Sequence, residues 1–176
     1  MSRLHIFSLL TYGLIPFGLV LSAWNSSKED NWPRWRGPYD TGVAATAVRT
    51  HWSDTENVKW KIDLPGRGLS SPVIWHDKIF LTNAVPIGSD EAVNRTSKLM
   101  PVHRFEVLCI SKDTGKTLWV RVAKTARPHE NYHPRYGSFA SNSPVTDGRL
   151  QYAYFGSRGV FAYDLDGTLI WQKDLG

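Results

Sequence analysis

Cysteine is almost absent: Cys109 is the single one in 176 residues, so an exported form of the chain would have no internal disulfide. The run Val107, Leu108, Cys109, Ile110 places that thiol on an apolar strand, as a core residue rather than a nucleophile. No cysteine stands near the amino-terminal apolar run, so no lipid-modified amino terminus is expected. Long helical periodicity is missing throughout, which argues against a helical bundle or coiled coil. Basic residues are in excess, with a formal charge of +5, but they are spread along the chain instead of gathered into a block. That distribution gives no expectation of nucleic-acid binding.

What is plentiful points the other way. Eight Trp and seven Tyr beside ten Pro and fourteen Gly suit short strands joined by tight turns, and an all-β fold is expected. The hydrophobic content of 41 % is enough for a globular core. At the amino terminus Arg3 precedes an uncharged apolar run from Ile6 to Leu21, then Ser22 and Ala23. Residues 1–23 read as a secretory signal with small residues at a cleavage point. The alternative is an uncleaved membrane anchor over residues 6–23, although Gly13, Pro16 and Gly18 weaken a permanent span. The chain is expected to be secreted or periplasmic, touching a membrane only through that segment if it is retained. Residues 24–56 follow as an amino-terminal extended segment.

Two stretches further on share a pattern. Ser71-Pro72-Val73 and Ser143-Pro144-Val145 each lead into an Asp-containing turn and an apolar strand. Each is followed by a strand pair closed at a glycine turn, Asp113-Thr114-Gly115 in one and Asp166-Gly167 in the other, with a tryptophan four residues after the glycine, Trp119 and Trp171. Alternation and turn chemistry predict strands over 71–75, 78–83, 105–111 and 117–123, and again over 139–145, 150–156, 159–165 and 168–174. Residues 57–64 match the last strand alone, with Trp60 in the tryptophan position, 59 residues before Trp119; Trp171 follows 52 residues after Trp119. Four-stranded units at such a period, none able to bury its sheet face alone, predict blades of a β-propeller: an outer strand over 57–64, a blade over 71–123 and a blade over 139–176. Trp60, Trp119 and Trp171 are then expected to fill the space between blades, with Gly115 and Gly167 supplying the positive backbone angle of tight hairpins. Residues 84–104 read as a charged insertion between two strands, and residues 124–138 as a loop between blades.

The segment from Cys109 to Trp119 resembles the tryptophan-docking repeat of the pyrroloquinoline-quinone-type propellers, Ala-x-Asp-x-x-Thr-Gly-x-x-x-Trp, with Cys109 in place of the alanine and Ser111 in place of the aspartate. Ala162, Asp164, Gly167 and Trp171 form a second version, one residue shorter. Residues 32–38, 70–73 and 138–148 are similar to the start of secreted bacterial proteins of that superfamily. The resemblance implies an all-β, partial propeller, the front part of a ring of about eight blades. It also implies two functions from different classes. One is a non-catalytic extracytoplasmic module that binds a protein or carbohydrate partner, with no cofactor expected. The other is a dehydrogenase of alcohols or sugars in which pyrroloquinoline quinone takes the electrons and calcium polarises the quinone. No catalytic or cofactor-binding residue of the second class maps onto a position of this chain, and with Cys109 alone the adjacent-cysteine disulfide of its alcohol-oxidising branch cannot form.

One motif suggests a third chemistry. His129, Glu130 and His133 have the H-E-x-x-H order of zinc hydrolases, in which a helix sets two histidines one turn apart on one face and the glutamate activates the metal-bound water. Here Pro128 and Pro134 bracket the motif, leave room for at most one turn, and the flanks carry no apolar helical face. An extended, solvated loop is the expectation, with no metal bound. His129, Glu130, His133, Arg135 and Tyr136 nevertheless group in one inter-blade loop and are candidates for a binding surface. Arg158, between Ser157 and Gly159, is expected in a hairpin turn, either facing an axial channel or simply exposed. The aromatic cluster at residues 32–38 would either stack on sugar or pack on the body.

Overall fold

The computed structural model describes residues 31–88, 100–133 and 135–176. The expected signal or anchor at 1–23 and most of the insertion at 84–104 lie outside them. Among the described residues no helix is long and apolar enough to cross a membrane.

The fold is all-β. Among the described residues eight strands run β1 (Val73–Trp75), β2 (Lys78–Pro86), β3 (His103–Ser111), β4 (Thr117–Ala126), β5 (Val145–Thr146), β6 (Leu150–Tyr154), β7 (Val160–Asp164) and β8 (Leu169–Lys173). They form two antiparallel four-stranded sheets, each in sequence order, β1-β2-β3-β4 and β5-β6-β7-β8. The only helical element beside them among the described residues is a 3-10 turn at Gly156–Arg158.

Local chemistry explains the meanders. At the β3–β4 turn the Gly115 amide donates to the Ser111 carbonyl at 2.9 Å, and the Ser111 amide donates to the Lys116 carbonyl at 2.8 Å. At the β7–β8 turn the Asp164 carboxylate accepts from the amides of Asp166 at 3.0 Å and Thr168 at 2.7 Å, an Asx turn that ends at Gly167. Gly115 and Gly167 sit at φ +71° and +86°, where a side chain is disfavoured. The Asp147 carboxylate closes the β5–β6 turn in the same manner, accepting from Arg149 and Leu150 at 2.8 Å each.

The core lies between the two sheets. Val73, Phe80, Val107, Cys109 and Trp119 of the first face Ala153, Phe161 and Tyr163 of the second in one buried cluster. Trp119 contacts Tyr163 at a centroid distance of 6.3 Å, and its Nε1 donates to the Leu165 carbonyl at 3.2 Å. Its ring covers Gly167 so closely that a Cβ there would fall 2.8 Å from Cδ2. Arg121 adds a hydrogen bond to the Gly167 carbonyl at 2.6 Å, and Lys78–Asp166 and Lys124–Asp174 pair across the sheets at 3.2 and 2.7 Å. Trp60 repeats the arrangement one step earlier: its ring covers Gly115 and its Nε1 donates to the Lys112 carbonyl at 2.8 Å, beside a Lys59–Asp113 ion pair at 2.7 Å.

The structure departs from the sequence expectations in three places. Residues 57–64 form no strand; the segment pairs with neither described sheet and is tied down through Trp60, whose Nε1 holds the Lys112 carbonyl. The expected strand at 139–145 shrinks to Val145–Thr146 because Ser138 and Ser141 close a turn first. There the Ser138 amide donates to the Ser141 hydroxyl at 2.8 Å, and that hydroxyl donates back to the Ser138 carbonyl at 3.0 Å; Pro144 then has no amide to offer a neighbour. Conversely β2 and β3 extend beyond expectation, Asn83 to Pro86 pairing with Glu106 to His103. The described part of the 24–56 segment mostly loops, touching the sheet through a bridge in which Trp32 and Ile74 exchange hydrogen bonds of 2.8 and 2.9 Å.

Candidate functional site

The loop that follows β4 leaves the sheet at Ala126 and meets the 3-10 turn of the β6–β7 hairpin. Arginines hold the meeting: the Arg158 Nη2 donates to the Arg127 carbonyl, and the Arg127 Nη1 donates to the Met100 carbonyl. Pro128 is buried, which anchors the loop, while His129 and Glu130 beside it are exposed. The His129 Nδ1 lies 3.2 Å from the Ser157 hydroxyl.

Residues 127–133 contain no helix. The two histidines of the H-E-x-x-H order are engaged separately: His129 meets Ser157, whereas His133 stacks on Tyr136 with centroids 4.9 Å apart and rings 17° from parallel. The His133 Nδ1 also accepts from the Arg135 amide at 3.3 Å, and Arg135 lies over the Tyr136 ring at 5.7 Å. The geometric requirement of the zinc motif, one helical face carrying both imidazoles, is not met. Among the described residues no three His, Cys, Asp or Glu side chains gather so as to hold a metal ion.

The five loop residues thus divide. His129 and Glu130 line a cavity of 180 Å³, together with Asn131, Ser157, Arg158 and Asn142. Its floor is aromatic, with Phe105, Phe139, Phe155 and Tyr132. Phe105 and Phe155 pack edge to face at 5.5 Å, and Tyr132 and Phe139 at 4.6 Å. His133, Arg135 and Tyr136 form a separate exposed stack outside that lining, and Tyr136 is 70 % exposed. On the other side of Tyr132 lies a larger cavity of 610 Å³ lined by Arg67, Val85, His103 and Phe139. Arg67 stands over the Tyr132 ring at 5.3 Å, and His103 meets Phe139 edge on at 4.8 Å.

Electrostatically the smaller cavity is notable for Arg158. Its Nε is buried without a hydrogen-bond partner, while another nitrogen of the same guanidinium holds the loop carbonyl. A buried donor left unmade costs about 1–3 kcal/mol, a local cost of bringing Arg158 to the loop. Tyr132, Asn142 and Ser157 were not singled out by the sequence, since each reaches the cavity from a separate element and no local pattern marks it. Arg158 was, as a hairpin residue, and its side chain turns to the loop. The Trp32 ring covers Gly37 of its own cluster while its backbone bridges to Ile74, and Trp35 of the same cluster stays 66 % exposed.

Compared with protein-family models and with curated proteins, the chain matches none.

Proposed function

We propose that this chain is an extracytoplasmic, non-catalytic binding module of the β-propeller kind, and that it takes a carbohydrate in the cavity between the 127–133 loop and the Gly156–Arg158 turn. The two sheets are consecutive blades in this reading. What supports it is the repeated contact in which an indole covers the glycine of the next hairpin, Trp60 on Gly115 and Trp119 on Gly167. The observation that carries the functional part is a polar rim above an aromatic floor, with the His129 and Ser157 pair at 3.2 Å beside Arg158 and Phe105, Phe139, Phe155 and Tyr132 beneath. Hydroxyl-rich ligands bring acceptors and donors to such a rim, and their C–H faces suit an aromatic floor. The 180 Å³ volume is below the roughly 300–1,000 Å³ of drug-sized sites, so a single sugar or a chain end fits better than an extended polymer. Catalysis is not part of the proposal: His129 meets Ser157 at 3.2 Å in the cavity lining, but among the described residues no carboxylate hydrogen-bonds that imidazole to orient it as a base.

Titration of the purified chain with a panel of neutral and acidic saccharides, followed by calorimetry, tests this. Binding should appear for at least one saccharide class and weaken about tenfold or more in Arg158→Ala and in His129→Ala, corresponding to the loss of one hydrogen bond to a charged or buried group. Absence of binding across the panel would overturn the ligand class. Dye reduction with alcohols or sugars on adding pyrroloquinoline quinone and calcium would overturn the non-catalytic reading in favour of the dehydrogenase.

A further inference from the structure

Arg67 stands between two glycines in the sequence Pro65-Gly66-Arg67-Gly68, and the fold needs both of them. The segment lies flat on β2, where the Arg67 amide donates to the Ala84 carbonyl at 2.9 Å and the Ala84 amide donates to the Arg67 carbonyl at 3.2 Å. A Cβ on Gly66 would fall 2.4 Å from the Ala84 carbonyl oxygen, and one on Gly68 would fall 2.5 Å from that of Thr82. Only glycine allows two backbones so close an approach. The Asn83 Nδ2 also donates to the Pro65 carbonyl and ties the strap down on its amino-terminal side. The backbone of Arg67 is thus fixed on the sheet, while its exposed side chain stands over the Tyr132 ring at 5.3 Å.

Arg67 and His103 are the two basic side chains of the 610 Å³ cavity, and among the described residues no Asp or Glu lines it. His103 is buried at the start of β3, with its Nδ1 2.9 Å from the Pro101 carbonyl. A carbonyl only accepts, so Nδ1 carries the proton and Nε2 is the ring nitrogen left to a ligand. Tyr132, Ser138 and Phe139 line this cavity and the 180 Å³ cavity alike, so the two share a wall. They differ in charge: the smaller holds Glu130 beside His129 and Arg158, whereas the larger holds bases alone.

We infer that the saccharide is acidic: its terminal sugar enters the 180 Å³ cavity, and the next ring, a uronate, enters the 610 Å³ cavity with its carboxylate on the Arg67 guanidinium. This rests on the saccharide reading above and adds the charge and length of the ligand. A guanidinium presents its N–H groups as a planar fork that matches a carboxylate with two parallel hydrogen bonds. One guanidinium suits a monoanion, and the neutral His103 Nε2 accepts from a hydroxyl of the same ring. The Tyr132 ring beneath Arg67 restrains the side chain before the ligand arrives, which lowers the entropy lost on binding. The larger volume lies within the roughly 300–1,000 Å³ of small-molecule sites, so it has room for a whole sugar ring and its carboxylate.

Calorimetry of the 176-residue chain with uronate-containing disaccharides, each paired with the neutral disaccharide made by reducing its carboxyl to an alcohol, tests this. At least one acidic member should bind about tenfold or more tighter than its neutral counterpart, the difference made by a charged hydrogen bond. Arg67→Gln should bring the two members of that pair to about equal affinity; the bridge to Ala84 is made by backbone, so this variant keeps the strap. His103→Asn retains a donor for the Pro101 carbonyl but removes Nε2, and should weaken both members several-fold without closing the gap. Equal affinities in the native chain would overturn the carboxylate assignment and leave the saccharide reading standing, whereas failure of both members of every pair would overturn the two together. A gap that survives Arg67→Gln would also overturn the assignment. Arg67-dependent binding of acetate or inorganic phosphate as tight as that of the acidic disaccharide would overturn it in favour of a free anion.

Discussion

Replacing Gly167 by alanine probes the contact between the sheets at a single atom. Gly167 has φ +86°, a conformation that costs an L-residue about 1–2 kcal/mol. The added Cβ would also lie 2.8 Å from Cδ2 and 3.0 Å from Cε2 of Trp119, and that ring is 9 % exposed and held by the Leu165 carbonyl, so it has little freedom to retreat. Overpacking of this kind adds about 1–3 kcal/mol, for a total of about 2–5 kcal/mol. Gly156 provides the matched control: it lies in the 3-10 turn of the β6–β7 hairpin at φ +62° with nothing within 4 Å of its would-be Cβ, so its alanine variant should lose only the backbone part, about 1–2 kcal/mol. Urea unfolding followed by tryptophan emission measures both, and the slope must stay constant for the comparison to hold. In the Trp119→Ala background the clash is gone, so Gly167→Ala should fall to the cost of Gly156→Ala. Equal costs for the two glycines in the native background, or additivity with Trp119→Ala within about 0.5 kcal/mol, would refute the stacking of that ring on that hairpin.

Other perturbations read other parts of the molecule. Burial pushes the Cys109 thiol up to about 12, so it should resist iodoacetamide at pH 8 in the folded protein and react at once in urea; rapid labelling of the native chain would contradict its place in the core. The Asp147 and Asp164 carboxyls are held below the usual carboxylate range, chiefly by amide donors from Leu150 and Thr168. Because the folded values are depressed, their contribution is complete above the unfolded value of about 3.9 and is lost as pH falls through the folded values. Stability should therefore hold from pH 7 to about 5 and drop below about 4, with a shallower drop in Asp164→Ala; a steeper one would contradict the turn chemistry. Glu106 is buried and paired with Arg104 at 2.8 Å, while the arginine side chain is 42 % exposed, so Glu106→Ala should cost about 1–3 kcal/mol in urea unfolding, less than a fully buried pair.

The turns were the most legible part of the sequence because their chemistry is local. Asp113-Thr114-Gly115 and Asp164 to Gly167 carry both the side-chain acceptor and the glycine that a hairpin needs, and the strands flanking them begin and end within a few residues of expectation. Where pairing depends on distant partners, periodicity loses its hold. Residues 57–64 alternate like a strand but pair with neither described sheet and are held by side-chain contacts of Lys59 and Trp60, and residues 139–145 alternate but are captured by the Ser138 and Ser141 hydroxyls. The H-E-x-x-H stretch was readable as a non-helical loop from its prolines, as the structure has it over residues 127–133. Its contacts were not: His129 meets Ser157, 28 residues on, and only a folded hairpin brings the two together.

The stacking of the two sheets is tested most directly by the proton chemical shift of the Gly167 α-methylene. With the Trp119 ring lying over it, the resonance should be displaced strongly upfield by the ring current, show nuclear Overhauser contacts to the indole protons, and return toward an ordinary glycine position in Trp119→Leu. An ordinary Gly167 shift in the native protein, with no contact to that indole, would contradict it.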